Sequence, residues 1–291
     1  MTLTRHSKNV HELLLPFGVT KLGMFSDIHW DNPKCDWKLL KKDLDYCKEN
    51  NIPVMFNGDT FCLMQGKWDP RGTKSDIRPE HNNINYLDSI INTAVDFFSP
   101  YADIITVVGY GNHETSILKR HETDVLQRFV DLLNYKNNTN VQTGGYGGWL
   151  VIKTEFRKGT LSTFKGKYFH GSGGGGVVTR GEINLTRALE MYEDFDFFVM
   201  GHIHENKCTN ITRDTLISHA TGYKMTHKNI HLAITGTYKE EYGYGDKGWH
   251  IERGAPPKPV GGRILEFFTR REVTNKTEKV LKSIDSYKFP L

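Results

Sequence analysis

Long apolar runs are missing from this 291-residue chain. Its N-terminus, "MTLTRHSKNVHELLLPFG", holds a three-leucine run. That is too short for a signal-peptide core, and nothing approaches the roughly 18 apolar residues of a membrane span. The expectation is a cytoplasmic enzyme or binding protein with no membrane partner. Cysteine is scarce: the four thiols, Cys35, Cys47, Cys62 and Cys208, lie far apart with no CxxC pair. This excludes a thiolate zinc site of the finger type and a disulfide framework. Charge of one sign is not in excess either. A formal net charge of +4 and a pI near 8.7 suit an anionic substrate but supply no nucleic-acid-binding tail. There is no internal repeat, and low complexity is confined to the glycine run at 171–176.

What is present reads as one α/β domain spanning 1–291. Hydrophobic content of 37% is ordinary for a globular chain of this size. "KLGMF" (21–25) reads as a short buried strand. Trp37, Leu40, Leu44 and Cys47 then recur at helical spacing, with Asp36 as N-cap. "IPVMF" (52–56) is the next strand. Ile84, Leu87, Ile91, Ala94 and Phe98 mark a helix that stops at Pro100. "DIITVVG" comes next, then a helix carrying Val125, Leu126, Phe129, Val130 and Leu133. Strands are expected at 148–153, 166–170 and 195–200, with a helix from Glu182 to Tyr192 between the last two. Beyond 205 the pattern turns to strands, near 207–213, 229–235 and 262–269, interrupted by a Gly/Pro/aromatic loop at 242–262.

The chemistry lies just past the carboxyl end of each strand. "VVGYGNHETS" runs from β-branched residues into Gly111-Asn112-His113-Glu114. "KLGMF" gives Ser26-Asp27-Ile28-His29, "PVMF" gives Asn57-Gly58-Asp59, "GKYF" gives His170-Gly171, and "FFVM" gives Gly201-His202-Ile203-His204. A polar turn explains any one of these. Open α/β sheets, however, bind ligands at the carboxyl ends of their strands, and here those ends supply carboxylates, an amide and imidazoles. This donor set suits Mn, Fe, Zn or Ni rather than calcium. In extended backbone, residues i and i+2 share a face. Asp27 and His29 are therefore expected to face one pocket, as are His202 and His204.

The series DxH, GD, GNHE, a lone His and GHxH, from about residue 21 to 204, resembles the calcineurin-like metallophosphoesterase superfamily. The resemblance implies a four-layer α/β/β/α sandwich of two mixed sheets, with two divalent metal ions between loops at the sheet edge. It implies that Asp27, His29 and His204 hold the first metal and that Asn112, His170 and His202 hold the second. Asp59 would bridge the two, and His113 would be a catalytic residue beside them. Manganese is the favoured ion, with Fe, Zn or Ni as alternatives. The chain departs from the family in two places. Cys62 stands where many members carry Asp or Asn in the GDxx(D/N) motif. The Asp-Arg-Gly of the protein Ser/Thr phosphatases is also missing.

The activity implied is hydrolysis of a phosphate ester by an in-line hydroxide, with two metals ~3.5–4 Å apart activating water and polarising the phosphoryl group. His113 would protonate or hydrogen-bond the leaving oxygen, oriented by Glu114 or Asp88. A phosphodiester of a nucleic acid or nucleotide is the favoured substrate, because no arginine cluster comes after the motifs, although Arg71, Arg78, Lys119 and Arg120 could serve a monoester. Tyr242, Tyr244 or Trp249 could stack on a base, with His250 and Arg253 beside Trp249. The alternatives are a phosphomonoesterase and a catalytically inactive binding scaffold.

Overall fold

The computed structural model describes residues 1–65, 72, 76–219, 222–242, 249–252, 254–274 and 277–290. In chain order the strands are β1 (Thr2–Ser7), β2 (Val10–Leu14), β3 (Lys21–Phe25), β4 (Val54–Asn57), β5 (Ile105–Gly109), β6 (Gln142–Thr143), β7 (Gly147–Arg157), β8 (Thr160–Phe169), β9 (Phe197–Met200), β10 (Lys207–His219), β11 (Gly222–Ile234), β12 (Arg263–Thr274) and β13 (Thr277–Lys288). The helices are α1 (Trp37–Glu49), α2 (Tyr86–Phe98), α3 (Asn112–His121), α4 (Val125–Asn137), α5 (Glu182–Met191) and the one-turn α6 (Trp249–Glu252). None is long and apolar enough to cross a membrane.

The strands form two mixed sheets. One has the order β13-β12-β3-β4-β5-β6, parallel from β3 to β6 and antiparallel across β13-β12-β3. The other has the order β1-β2-β7-β8-β9-β11-β10. Alternation within single strands shows how the sheets are covered. Along β3, Leu22 and Met24 join an apolar cluster shared with Leu150, Phe164, Phe197 and Val199 of the second sheet. Phe25, one residue out of phase, packs with Leu40 and Leu44 of α1, and with Ile90 and Phe98 of α2. Along β9, Phe197 and Val199 face the shared cluster, whereas Phe198 and Met200 pack with Leu185 and Ala188 of α5. The two sheets thus share one core, with α1, α2 and α4 on the far side of the first and α5 on the far side of the second.

Several local expectations need correction. Ile84 is fully exposed and precedes α2, which begins at Tyr86; its match to the helical spacing is accidental. Residues 112–121, for which the sequence pattern predicts no element, are helical, so Asn112 and His113 occupy the first turn of α3. The hairpins β10-β11 and β12-β13 run well past the expected segments; their outer halves are largely solvated, with Leu216, Tyr223, Met225 and Val273 exposed. The segment β1-β2 falls outside every expected strand. It adds to the sheet edge through the parallel pairing of β2 with β7.

Candidate metal centre

β3, β4, β5, β8 and β9 all end at one edge, and the loops leaving them interlock through backbone hydrogen bonds. Asp27 N–H donates to the Gly58 carbonyl at 3.0 Å, His29 N–H to the Asp59 carbonyl at 3.0 Å, and Gly201 N–H to the His170 carbonyl at 2.9 Å. Motif glycines make this approach possible. A Cβ on Gly111 would fall 2.0 Å from Asp59 Oδ1, and one on Gly201 would fall 1.9 Å from Ser26 Oγ. The backbone is strained where the donors sit: Asp27, His29, Asp59, His202 and His204 all have φ between 49° and 68°. That left-handed region is costly for residues with a side chain and clusters at functional sites. It also corrects the argument from spacing. Asp27 and His29 do share a pocket, but through two left-handed residues rather than through strand alternation.

The outcome is two triads whose donor atoms lie within 4.8 Å of one another, Asp27/His29/His204 and Asp59/His170/His202. Asn112 Oδ1 lies 3.2 Å from His170 Nε2, beside the second triad. All seven residues expected at the site are thus drawn together. His113 sits at their margin, its Nε2 3.8 Å from Asp59 Oδ2 and its ring centroid 4.9 Å from that of His29.

The donor atoms are oriented as cation ligands would be. His170 Nδ1–H donates to the Asn57 carbonyl at 2.8 Å, which turns Nε2 toward Asp59 Oδ2 at 3.2 Å. A second-nitrogen hydrogen bond to a carbonyl is the usual way of fixing a metal-binding imidazole. His29 is 2% exposed, and both its ring nitrogens lack a hydrogen-bond partner. Such a buried orphan calls for an ion or another unseen partner. The residues of each triad could therefore hold a metal ion.

The charges of these groups are set by burial and by one another. Burial holds the His29 imidazole well below its ordinary pKa, reinforced by His113. Burial, and after it the His170 charge, lowers His202 as well. Both are thereby kept neutral, the form that ligates metals. Burial alone would raise the Asp59 carboxyl, but His170 and His113 outweigh it and hold Asp59 well below the carboxylate range. Asp27, pushed up by burial, is brought down to about 2 chiefly by His204. His170 is the counterpart: burial pulls it down, and Asp59 takes it up to about 10.

The two acids expected to orient His113 do other work. Asp88 pairs with Arg128 on the surface. Glu114 is buried and accepts from Asp59 N–H (3.1 Å), Gly111 N–H (2.8 Å) and Phe61 N–H (2.9 Å), so it ties the loop after β4 to the start of α3. Burial and then Asp59 raise its carboxyl to about 8. The group that orients His113 is the Cys62 carbonyl, to which Nδ1–H donates. Spacing in sequence could not show this.

Sequence reasoning missed two further residues. Asp31, two positions past His29, fixes the next loop by accepting from Cys62 N–H (2.5 Å) and Leu63 N–H (2.9 Å). Lys239 lies beside the first triad, where its charge bears on His29 and Cys62, and it pairs with Glu241 at 2.7 Å. No motif leads to Lys239. It arrives because Tyr238 N–H and Thr237 Oγ donate to the Asp27 carbonyl at 3.0 and 2.8 Å.

Among the cations named from sequence, Arg78 is committed to the Trp30 ring and Glu80. Lys119 and Arg120 sit in the last turn of α3. Arg71, Tyr244 and Arg253 lie outside the described residues. Trp249 and His250 fall in α6, within the loop at 242–262. That loop returns to the site, since Gly261 N–H donates to the Thr237 carbonyl at 2.8 Å and Lys258 pairs with Glu205, next to His204, at 2.6 Å. No family model matches the chain, and no curated protein matches it either.

Proposed function

We propose that the chain is a phosphoesterase of the calcineurin-like metallophosphoesterase type, folded as its four-layer sandwich, and that it hydrolyses phosphodiesters of nucleic acids or nucleotides. One observation carries the reading: strand ends far apart in sequence bring Asp27/His29/His204 and Asp59/His170/His202 together, with Asn112 and His113 alongside. Two bound divalent ions, manganese in preference to Fe, Zn or Ni, would supply Lewis acidity toward the phosphoryl oxygens and lower the pKa of water.

The protein's own groups have separate tasks. The Asp59 carboxylate, 3.2 Å from His170 and 3.8 Å from His113, would help hold the ions and offset their charge. Asn112 adds a neutral oxygen, which limits the negative charge gathered around the substrate. His113, held through Nδ1 by the Cys62 carbonyl, presents Nε2 to hydrogen-bond or protonate the leaving oxygen. Lys239 brings a positive charge near His29 that is shared with Glu241 at 2.7 Å, and a cation there would suit the monoesterase alternative.

The test is a hydrolysis screen of purified protein with Mn²⁺ against bis(p-nitrophenyl) phosphate, p-nitrophenyl phosphate, cyclic nucleotides and single- and double-stranded nucleic acid. Turnover of the diesters supports the reading. Turnover of the monoester alone replaces it with the phosphomonoesterase, and none at all replaces it with the scaffold.

A further inference from the structure

Cys62 has no place in the proposed hydrolysis, yet it does not sit among apolar groups alone. Its Sγ lies with ring nitrogens of His29 and His113 in a third cluster whose donor atoms are within 4.8 Å of one another. Cys62 is 1% exposed and accepts from Asn32 Nδ2 at 3.4 Å, while burial, and after it Asp31, pushes its thiol pKa up, so the metal itself must displace the proton. His29, buried with neither nitrogen in a hydrogen bond, is the ligand this cluster shares with the first triad. His113 Nδ1–H is spent on the carbonyl of Cys62 itself, which locks the two residues into one unit.

We propose that His29, Cys62 and His113 form a thiophilic cation site that takes Zn²⁺, Co²⁺ or Cd²⁺ in competition with the oxygen-richer cluster Asp27/His29/His204. Two imidazoles and one thiolate match the ligand preferences of these ions, whereas Mg²⁺ and Mn²⁺ favour oxygen. On binding, the Sγ–H proton passes to solvent and a sulfur–metal bond replaces it. Because His29 is common to both clusters, an ion at Cys62 draws an imidazole from the first triad. It also ties up His113. The chain thus carries a hard and a soft pocket that share one ligand, and the supply of soft metal would decide which is filled.

The experiment reads metal–sulfur bonding rather than turnover, so it stands whether or not the protein is a hydrolase. Chelator-stripped protein is titrated with Co²⁺ in thiol-free buffer, and the near-ultraviolet thiolate-to-cobalt band is monitored. The band should appear in the wild type and in Cys208→Ala, which removes the one exposed thiol. It should vanish in Cys62→Ser, which keeps an acceptor for Asn32, and its midpoint should move at least tenfold higher in His113→Ala. As a check that needs no change at the site, X-ray absorption of zinc-loaded Cys208→Ala protein should show one sulfur neighbour at ~2.3 Å. Absence of the band in the wild type, its survival in Cys62→Ser, or a purely nitrogen and oxygen shell around zinc would each overturn the proposal.

Discussion

The carboxylate of Glu114 accepts the backbone N–H of Asp59 at 3.1 Å, across a sequence separation of 55 residues. Through its other contacts, to Gly111 and Phe61, the same side chain joins the loop after β4 to the first turn of α3. Glu114→Ala would leave three amides without their acceptor. Each unsatisfied buried donor costs about 1–3 kcal/mol, and partial access by water lessens the sum. We expect a loss of roughly 3 kcal/mol in stability together with weaker metal retention. Chemical denaturation and elemental analysis check this, and a variant as stable as the parent would show that Glu114 is dispensable.

Metal and protein stability should be linked. Asp27 and Asp59 are buried carboxylates among imidazoles, so ions that bind only the folded site will raise its melting temperature. Stripping metal should lower Tm and abolish hydrolysis, and Mn²⁺ should restore both at least as well as Mg²⁺. Asp59→Asn should lose metal as well as rate, whereas His113→Ala should keep metal at the two triads and lose about 10²–10⁴-fold in turnover. If metal analysis finds His113→Ala to be the depleted variant, the roles of the two residues are exchanged.

A pH effect is expected away from the site. Asp43 is buried beneath the Tyr238 hydroxyl, which donates to it at 2.7 Å, and burial raises its carboxyl to about 6. The folded pKa lies above the unfolded value, so the folded state holds the proton more tightly. The resulting stabilisation is complete below about pH 4 and is lost as pH rises through about 6. Asp43→Asn removes this titration. Its stability relative to the parent should therefore improve between about pH 4 and 7, by about 2–3 kcal/mol. A constant difference in Tm over that range would contradict the account.

Trp249 lies on α6, within a loop whose return passes Thr237 and whose Lys258 pairs beside His204. Base stacking on an aromatic is worth ~1–3 kcal/mol. Trp249→Ala should raise KM several-fold or more for a nucleotide diester and leave bis(p-nitrophenyl) phosphate almost unchanged. Equal losses on both substrates would assign Trp249 to the fold, and no loss on either would remove the loop from recognition.

The sequence carried the location of the site because its donors are consecutive with strand ends, and buried strands announce themselves through β-branched and aromatic residues such as Val107 and Phe198. It did not carry the local geometry. The pairing of Asp27 with His29 depends on left-handed backbone at both, and residue types alone do not reveal a φ angle. Nor could it assign Glu114, whose partners are backbone amides and leave no trace in composition. Lys239 was invisible for a different reason. Its position depends on where the chain after β11 crosses Asp27, a tertiary contact without a motif. The edge strand β1 escaped because it is exposed at most positions and has no period-two pattern.

The two long hairpins have a consequence for how the molecule opens. β11 is held by β9 only over His231–Ile234, and β12 by β3 only over Arg263–Glu266. Farther out, among the described residues, Thr212–Ser218 pair as strands only with Tyr223–Asn229, and Phe268–Val273 only with Glu278–Ser283. A two-stranded ribbon in water is marginal. Its amides will therefore exchange with solvent deuterium through local fraying, while those of the inner segments wait for global unfolding. The boundary falls just before the chain reaches Thr235, which donates to the Met200 carbonyl, and Thr237, which donates to that of Asp27. The ribbons can thus breathe without passing their motion to the metal-binding edge.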